Sequence, residues 1–305
     1  MRSPQLHLAA LVACLTTGLG ACNSDLVGGG SGGGGLTNTQ AAEIGTAAQT
    51  EVEASIGDFT VNESVAPFGF SSGSASAFSA ARPSAIPGCP TVSSTTDADA
   101  DGIPDDATFT FTNPPCSVTG WRGGTFALTG LVRIQDTNQS NGFDFMATLT
   151  DFMWEYTGPG GVNSWSATRN GTRSRTGNTN AASLTVDMLI EWQRPARALA
   201  TLHKTGTVVF TAATAGTLHA DQPLPDGTFD INGTLTWNRS TENFSFAITT
   251  PVPLDYDADC TLTPQRIQSG ELHAAGTVNG RSGTLIVTWT GCGIEPTKQW
   301  VPDAS

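Results

Sequence analysis

The residues best suited to chemistry in this chain lie in Asp97-Ala98-Asp99-Ala100-Asp101-Gly102-Ile103-Pro104-Asp105-Asp106. Carboxylates on alternate residues, with a glycine at the sixth place, let a backbone curl around one hard cation. Counted from Asp97, the ligands would be the carboxylates of Asp97, Asp99 and Asp101, the carbonyl of Ile103 at the seventh place, and Asp105 at the ninth, directly or through water. Calcium is the cation that such a flexible oxygen set suits. The twelfth place, which would supply a bidentate carboxylate, holds Thr108. Asp106 is the nearest substitute, and affinity is expected in the weak extracellular class, with dissociation constants of about 10⁻⁴ to 10⁻³ M. Without a cation the five carboxylates in these ten residues repel one another, and the segment is a solvated acidic turn. Cys89 and Cys116 flank it and Phe109 and Phe111 follow it, so a bound ion would hold structure rather than carry out a reaction.

These ten residues resemble the calcium loops of EF-hands and of thrombospondin type 3 repeats. A second resemblance concerns Cys22. Arg2, an apolar run from Leu6 to Leu15 and small residues before Cys22 form a three-part secretory signal. The run is well short of the roughly 20 apolar residues a membrane-crossing helix requires, and it breaks at Thr16-Thr17-Gly18. Leu19-Gly20-Ala21-Cys22 resembles the lipobox of bacterial lipoproteins. That resemblance implies that residues 1–21 are removed as a signal peptide and that Cys22 becomes an acylated N-terminus, carrying chains such as palmitate. The implied partner is a membrane, reached through the lipid. Asn23 stands where many lipoproteins kept in the inner membrane have Asp, which implies a bacterial cell envelope location at the outer membrane. Residues 22–37 follow as a tether, glycine from Gly28 to Gly35 except at Ser31. A flexible segment of about a dozen residues spans roughly 20 Å, enough to hold a folded part clear of lipid headgroups.

Charge narrows the partners. The chain has 14 basic and 27 acidic residues, a net charge of −13, and loss of residues 1–21 would remove Arg2 and no acid. With two lysines, Lys204 and Lys298, and no basic stripe, a nucleic-acid partner is not expected.

The remaining candidates are weaker. Asp255, Asp257 and Asp259 alternate before Cys260 but lack the glycine, and read as a second cation site or a charged sheet edge. His203, His219 and His273 each follow a leucine and are expected to face solvent. Arg169, Arg173 and Arg175 form a basic cluster, suited to an anion or to local carboxylates at a hairpin tip. Trp192, Trp237 and Trp289 fall in apolar alternation and read as core; Trp121, Trp154, Trp165 and Trp300 are open to a sugar-stacking role. The GxSxG elbow, HExxH, the phosphate-cradling loop and the dinucleotide fingerprint are absent from the sequence.

The elements that position these residues are mostly strands. The 35 glycines, abundant threonine and short alternating segments predict an all-β fold, an antiparallel meander forming a sandwich or barrel over residues 89–305. Phe126, Leu128, Val132 and Ile134 share one face, as do Leu184, Val186, Met188, Ile190 and Trp192, and Leu285, Val287 and Trp289. Asn170-Gly171 and Asn279-Gly280 are candidate hairpin turns. Residues 38–88 precede this region: Ile44, Ala48, Val52 and Ile56 recur every fourth residue and predict one short N-terminal helix, followed by a Ser/Ala/Pro-rich connector. The segment Gly124 to Gly130 echoes Gly227 to Gly233, consistent with a duplicated strand pair or with convergence. Outside the signal, Cys89–Cys116 and Cys260–Cys292 are the favoured disulfides, because each closes a short local loop.

Together these features predict an anchored envelope lipoprotein acting as a non-enzymatic binding or structural β module, stabilised by calcium held at Asp97, Asp99, Asp101, Ile103 and Asp105. Two other readings stand beside it. One is an amphiphile or lipid carrier with a half-open barrel cavity; the other is a carbohydrate-acting hydrolase with paired carboxylates.

Overall fold

Alternation of apolar and polar residues over segments of about a dozen residues gives long strands, and short turn-rich connections between them give antiparallel neighbours. In a computed structural model of the chain, the strands are β1 (Thr91–Val92), β2 (Asp106–Thr110), β3 (Cys116–Thr119), β4 (Thr125–Asp136), β5 (Phe145–Thr157), β6 (Trp165–Gly177), β7 (Ala181–Gln193), β8 (Ala200–Ala212), β9 (Gly227–Arg239), β10 (Glu242–Tyr256), β11 (Ile267–Val278), β12 (Arg281–Trp289) and β13 (Thr297–Pro302). The structure describes residues 89–94, 96–101, 103–111, 116–119, 124–140, 142–161, 164–194, 198–219, 222–239, 242–260, 267–278 and 281–303. Cys22, the tether, the expected helix and the connector lie outside the described residues.

Every ladder is antiparallel, and from β4 to β13 each strand pairs with the next. β2 lies on the far side of β4, with β1 beyond it, and β3 shares that side of β4 with β2. The all-β meander is therefore present. Barrel closure is not: the sheet is open, with β1 and β13 at its ends. Nor are there two separate sheets among the described residues. Strand alternation is the same in all three arrangements, so the sequence alone does not separate them.

One face of the sheet is apolar and buried. Leu184, Phe210, Phe229, Leu254, Leu272, Leu285 and Val287 are fully buried on it. Val186, Met188 and Trp289 are buried as expected, while Ile190 and Trp192 are partly so. Where the alternation changes phase, a bulge makes the change. In β5, Phe145 and Leu149 face the core on odd numbers and Phe152 and Trp154 on even ones; the shift falls at Asp151, whose φ is +46°. Gly130 of β4, at φ +98°, lies against this bulge, and a Cβ there would stand 2.2 Å from the Asp151 carbonyl oxygen. In β10 the shift lies between Thr249 and Leu254 and takes in Pro251 and Pro253, which a regular central strand would not accept. The buried Thr250 mends the ladder there: its Oγ1 accepts the Ile231 N–H at 2.9 Å and donates to Asp230 Oδ1 at 3.0 Å.

One turn reading fails and the other, Asn279-Gly280, lies outside the described residues. Asn170-Gly171 lies inside β6, where Gly171 pairs with Leu149 on one side and Met188 on the other. Asn170 serves the bulge instead, its Oδ1 accepting the Asp151 N–H at 2.7 Å. On either side of Asn279-Gly280, Val278 of β11 pairs with Arg281 of β12. The ends of the sheet are blunt: β1 has two residues and β13 has six, bracketed by Pro296 and Pro302.

Candidate metal centre

The β2–β4 ladder decides what surrounds the acidic segment. Asp106 pairs with Gln135, so the residues before Asp106 lie beside those after Gln135. The Asp105 N–H donates to the Thr96 carbonyl at 2.8 Å, which closes the loop, and the Asp136 N–H donates to the Pro104 carbonyl at 3.1 Å, which pins it to the β4–β5 hairpin. Ile103 and Pro104 are buried, and the Ile103 side chain joins the core.

Within this loop Asp97, Asp99 and Asp101 each place one carboxylate oxygen within 4.8 Å of the other two. Asp101 Oδ1 accepts the Ile103 N–H at 2.8 Å, while its Oδ2 is buried with no hydrogen-bond partner. Burial pushes the Asp101 carboxyl up to about 6, and the neighbouring charges of Asp99, Asp136 and Asp97 push the same way against the Ile103 bond. A cation at the convergence of these oxygens would relieve both effects.

Two expected ligands behave differently. Asp105 Oδ1 accepts the Ala98 N–H at 3.1 Å, so it braces the loop from within and lies outside the group of three. Asp106 points away and forms a bidentate pair with Arg133, Nε to Oδ1 at 2.8 Å and Nη2 to Oδ2 at 2.5 Å. It does not stand in for the missing twelfth ligand. Gly102 lies outside the described residues.

The carboxylate that approaches from elsewhere is Asp136, with Asp144 beside it in turn, which the segment's own spacing does not reveal. Burial raises the Asp136 pKa, as do the charges of Asp99, Asp105 and Asp144. Both are fixed by the hairpin: Asp136 accepts from the Asn138 N–H at 2.8 Å and from Gln139 Nε2 at 2.7 Å, and Asp144 from Asn138 Nδ2 at 2.9 Å and the Gly177 N–H at 2.7 Å. The run Asp136-Thr137-Asn138-Gln139, acidic and amide-rich after a long strand, is the signal that points to it.

Arg175 holds the connection between β4 and β5. It is 3% exposed, stacks over Phe145 at 5.0 Å and donates to the carbonyls of Phe143 at 2.8 Å and Gly142 at 3.0 Å. Burial lowers its pKa to about 10, while Asp144 and Asp101 oppose the shift, so it remains charged at neutral pH. The arginine cluster is therefore not at a hairpin tip. Arg169, Arg173 and Arg175 pair with Phe152, Ala147 and Phe145 on one side and Ile190, Val186 and Leu184 on the other, which puts all three on the apolar face.

The other candidates do not assemble. His203 pairs with Asp187 at 2.8 Å on β8, His273 pairs with Glu271 on β11, and His219 is exposed in a connection. Asp257 is held by Asp259 N–H and Gln268 Nε2 in a turn, not a strand ladder. Trp154 is buried beneath the Arg169 guanidinium, 4.4 Å from its ring centre, and Trp237 is core; Trp165 and Trp300 are half-buried and Trp121 lies outside the described residues. Cys89 and Cys116 have Cα atoms 5.6 Å apart, and Cys260 and Cys292 5.9 Å, both pairs at disulfide distance. A small depression of about 30 Å³ over Gly206 and Gly233 has room for about two water molecules. Among the described residues no helix is long and apolar enough to cross a membrane. No family model matches the chain, and no curated protein or solved structure was found to be similar to it.

Proposed function

We propose that this chain is an envelope lipoprotein, anchored through Cys22, whose β sheet is a non-enzymatic binding or structural module stabilised by calcium in the 97–105 loop. The observation that carries the calcium reading is the convergence of Asp97, Asp99 and Asp101 within 4.8 Å around a buried, unbonded Asp101 oxygen. The chemistry of the donors, hard carboxylate oxygens on a flexible loop, fits calcium better than zinc, which takes nitrogen and sulfur ligands. Asp136 adds negative potential, and Asp105 braces the loop. The anchor rests on the Leu19-Gly20-Ala21-Cys22 ending and the glycine run after it.

The test is a thermal melt in chelator, in several millimolar calcium and in the same concentration of magnesium. At a calcium concentration 100 times the dissociation constant, a ligand confined to the folded state adds about 2.7 kcal/mol. Calcium should raise the midpoint by several degrees, magnesium much less, and Asp99→Ala and Asp101→Ala should lose the response. A parent midpoint indifferent to calcium reduces the segment to a solvated acidic turn.

A further inference from the structure

The two ends of the sheet carry different residues. Because β4 to β13 form a meander, β5, β7, β9 and β11 finish, and the strands after them start, at the same end. There the apolar, inner face is aromatic. Tyr156 pairs with Trp165, Ala167 pairs with Trp154 on one side and Trp192 on the other, and Trp237 pairs with Leu202 and Phe244. The rings adjoin one another: centroids are 6.3 Å apart for Tyr156 and Trp165, 5.5 Å for Trp192 and Trp237, and 5.9 Å for the stacked Trp237 and Phe244. Arg169 lies among them, 4.4 Å over the Trp154 ring. Tyr156, Trp165, Trp192 and Phe244 are half-buried, whereas Phe210 and Phe229, toward the other end, are fully buried. Leu199, next to the Ala200 that pairs with Trp192, is 47% exposed.

Charge is distributed the opposite way. The connections at the far end, with the 96–105 loop, hold Asp97, Asp99, Asp101, Asp144, Asp226 and Asp259 and, among their described residues, no lysine or arginine. The connections at the aromatic end hold Arg194 and, among their described residues, no acid. The described chain also begins near the aromatic end. Cys89 lies beside Cys116, which pairs with Leu128, and Leu128 belongs to the part of β4 that starts opposite Thr157.

We infer that the aromatic end faces the membrane, with the rim of Tyr156, Trp165, Trp192 and Phe244 resting among phospholipid headgroups and the acidic end pointing away. The inference rests on the proposed anchor at Cys22, which supplies the lipid surface. Tryptophan and tyrosine join an apolar ring to a polar N–H or O–H, so they collect where apolar surroundings meet water, as at lipid headgroups. An anionic lipid surface attracts arginine and repels carboxylates, so the same field that draws the Arg169 and Arg194 end inward turns the Asp97, Asp99 and Asp101 end outward. The point where the described chain begins agrees with this orientation, since a tether from the lipid then reaches the sheet without passing the acidic end. So shallow a contact is weak by itself. The anchor makes it intramolecular and raises its effective concentration. The acidic loop then meets calcium and partners on the side away from the lipid.

The test uses the full-length protein in vesicles of phosphatidylethanolamine and phosphatidylglycerol that contain a phospholipid with a nitroxide on its headgroup, in chelator. A fluorophore is attached through Leu199→Cys at the aromatic end or through Thr179→Cys in the β6–β7 turn at the other, both exposed positions. Flotation should carry both variants with the vesicles, the label at 199 should be strongly quenched, and the label at 179 should keep its emission. Equal quenching at the two positions, or stronger quenching at 179, in protein that floats overturns the orientation and leaves the anchor standing. Protein that does not float overturns the anchor and the orientation with it. Intrinsic fluorescence gives a second reading without an added label. The nitroxide should quench the parent's tryptophan emission, Trp165→Phe and Trp192→Phe should each lose part of that quenching, and Trp289→Phe, a buried position at the far end of β12, should retain it. Tryptophan emission that the nitroxide leaves unquenched in floating protein would free the aromatic end for a soluble ligand and overturn the inference.

Discussion

Asp101 gives the acidic loop its pH response. Its carboxyl is raised from the ordinary 3.8 to about 6, first by burial and then by neighbouring carboxylates. The folded state therefore holds this proton more tightly than the unfolded chain, and between about pH 4 and 6 stability falls as the pH rises. Asp106 has the opposite sign, its pKa lowered by Arg133, but it sits on the exposed surface. Comparing the parent with Asp101→Asn cancels that background. In chelator, the parent midpoint should drop relative to the variant between pH 4 and 6 and run parallel to it above, with the variant more stable at pH 7. Calcium should close that gap for the parent and leave the variant unmoved. A variant less stable than the parent at pH 7 in chelator would show that the Asp101 charge is already compensated within the protein.

At the scale of elements, the strands depend on where their regularity is interrupted. Gly130 at φ +98° packs against the Asp151 bulge with no room for a methyl group. Gly130→Ala should lower stability by about 2 to 4 kcal/mol, combining a left-handed backbone with a steric clash. Thr250→Val keeps the shape but leaves the Ile231 N–H without its acceptor, and should lower stability by about 1 to 3 kcal/mol; denaturant melts of the two variants measure both. The phase change in β5 is legible from Phe145 and Leu149 followed by Phe152 and Trp154, and the β7 and β12 faces are legible from simple alternation. Strand β6 is not. From Arg169 onward its inner positions are arginine and glycine, so the segment has the composition of a loop and Asn170-Gly171 has the look of its turn. The acidic loop's three converging carboxylates follow from spacing, whereas Asp136 comes beside them through the β2–β4 pairing, a long-range fact that local spacing does not contain.

For the whole molecule, the open meander removes a constraint that a closed barrel would impose, since no register has to join β1 to β13. What remains exposed at the two ends is short, and the net charge of −13 disfavours self-association. Both features would suit a single copy held on the tether proposed for residues 22–37. On the proposed reading its attachment is through Cys22; among the described residues no helix is of span length, and the apolar run before Cys22 is too short to cross a bilayer. One acyl chain binds a membrane only marginally, and each buried CH₂ contributes about 0.8 kcal/mol, so the two or more chains implied by a lipobox make attachment long-lived. Cys22→Ser should therefore move the protein from the detergent-rich to the aqueous phase on temperature-induced separation and abolish metabolic palmitate labelling. The calcium-dependent melt of the β region should not change, since Asp97, Asp99 and Asp101 lie in a loop pinned within the sheet. Palmitate labelling that persists in the Ser variant would place the lipid elsewhere, and a melt that shifts with it would tie the anchor segment to the fold.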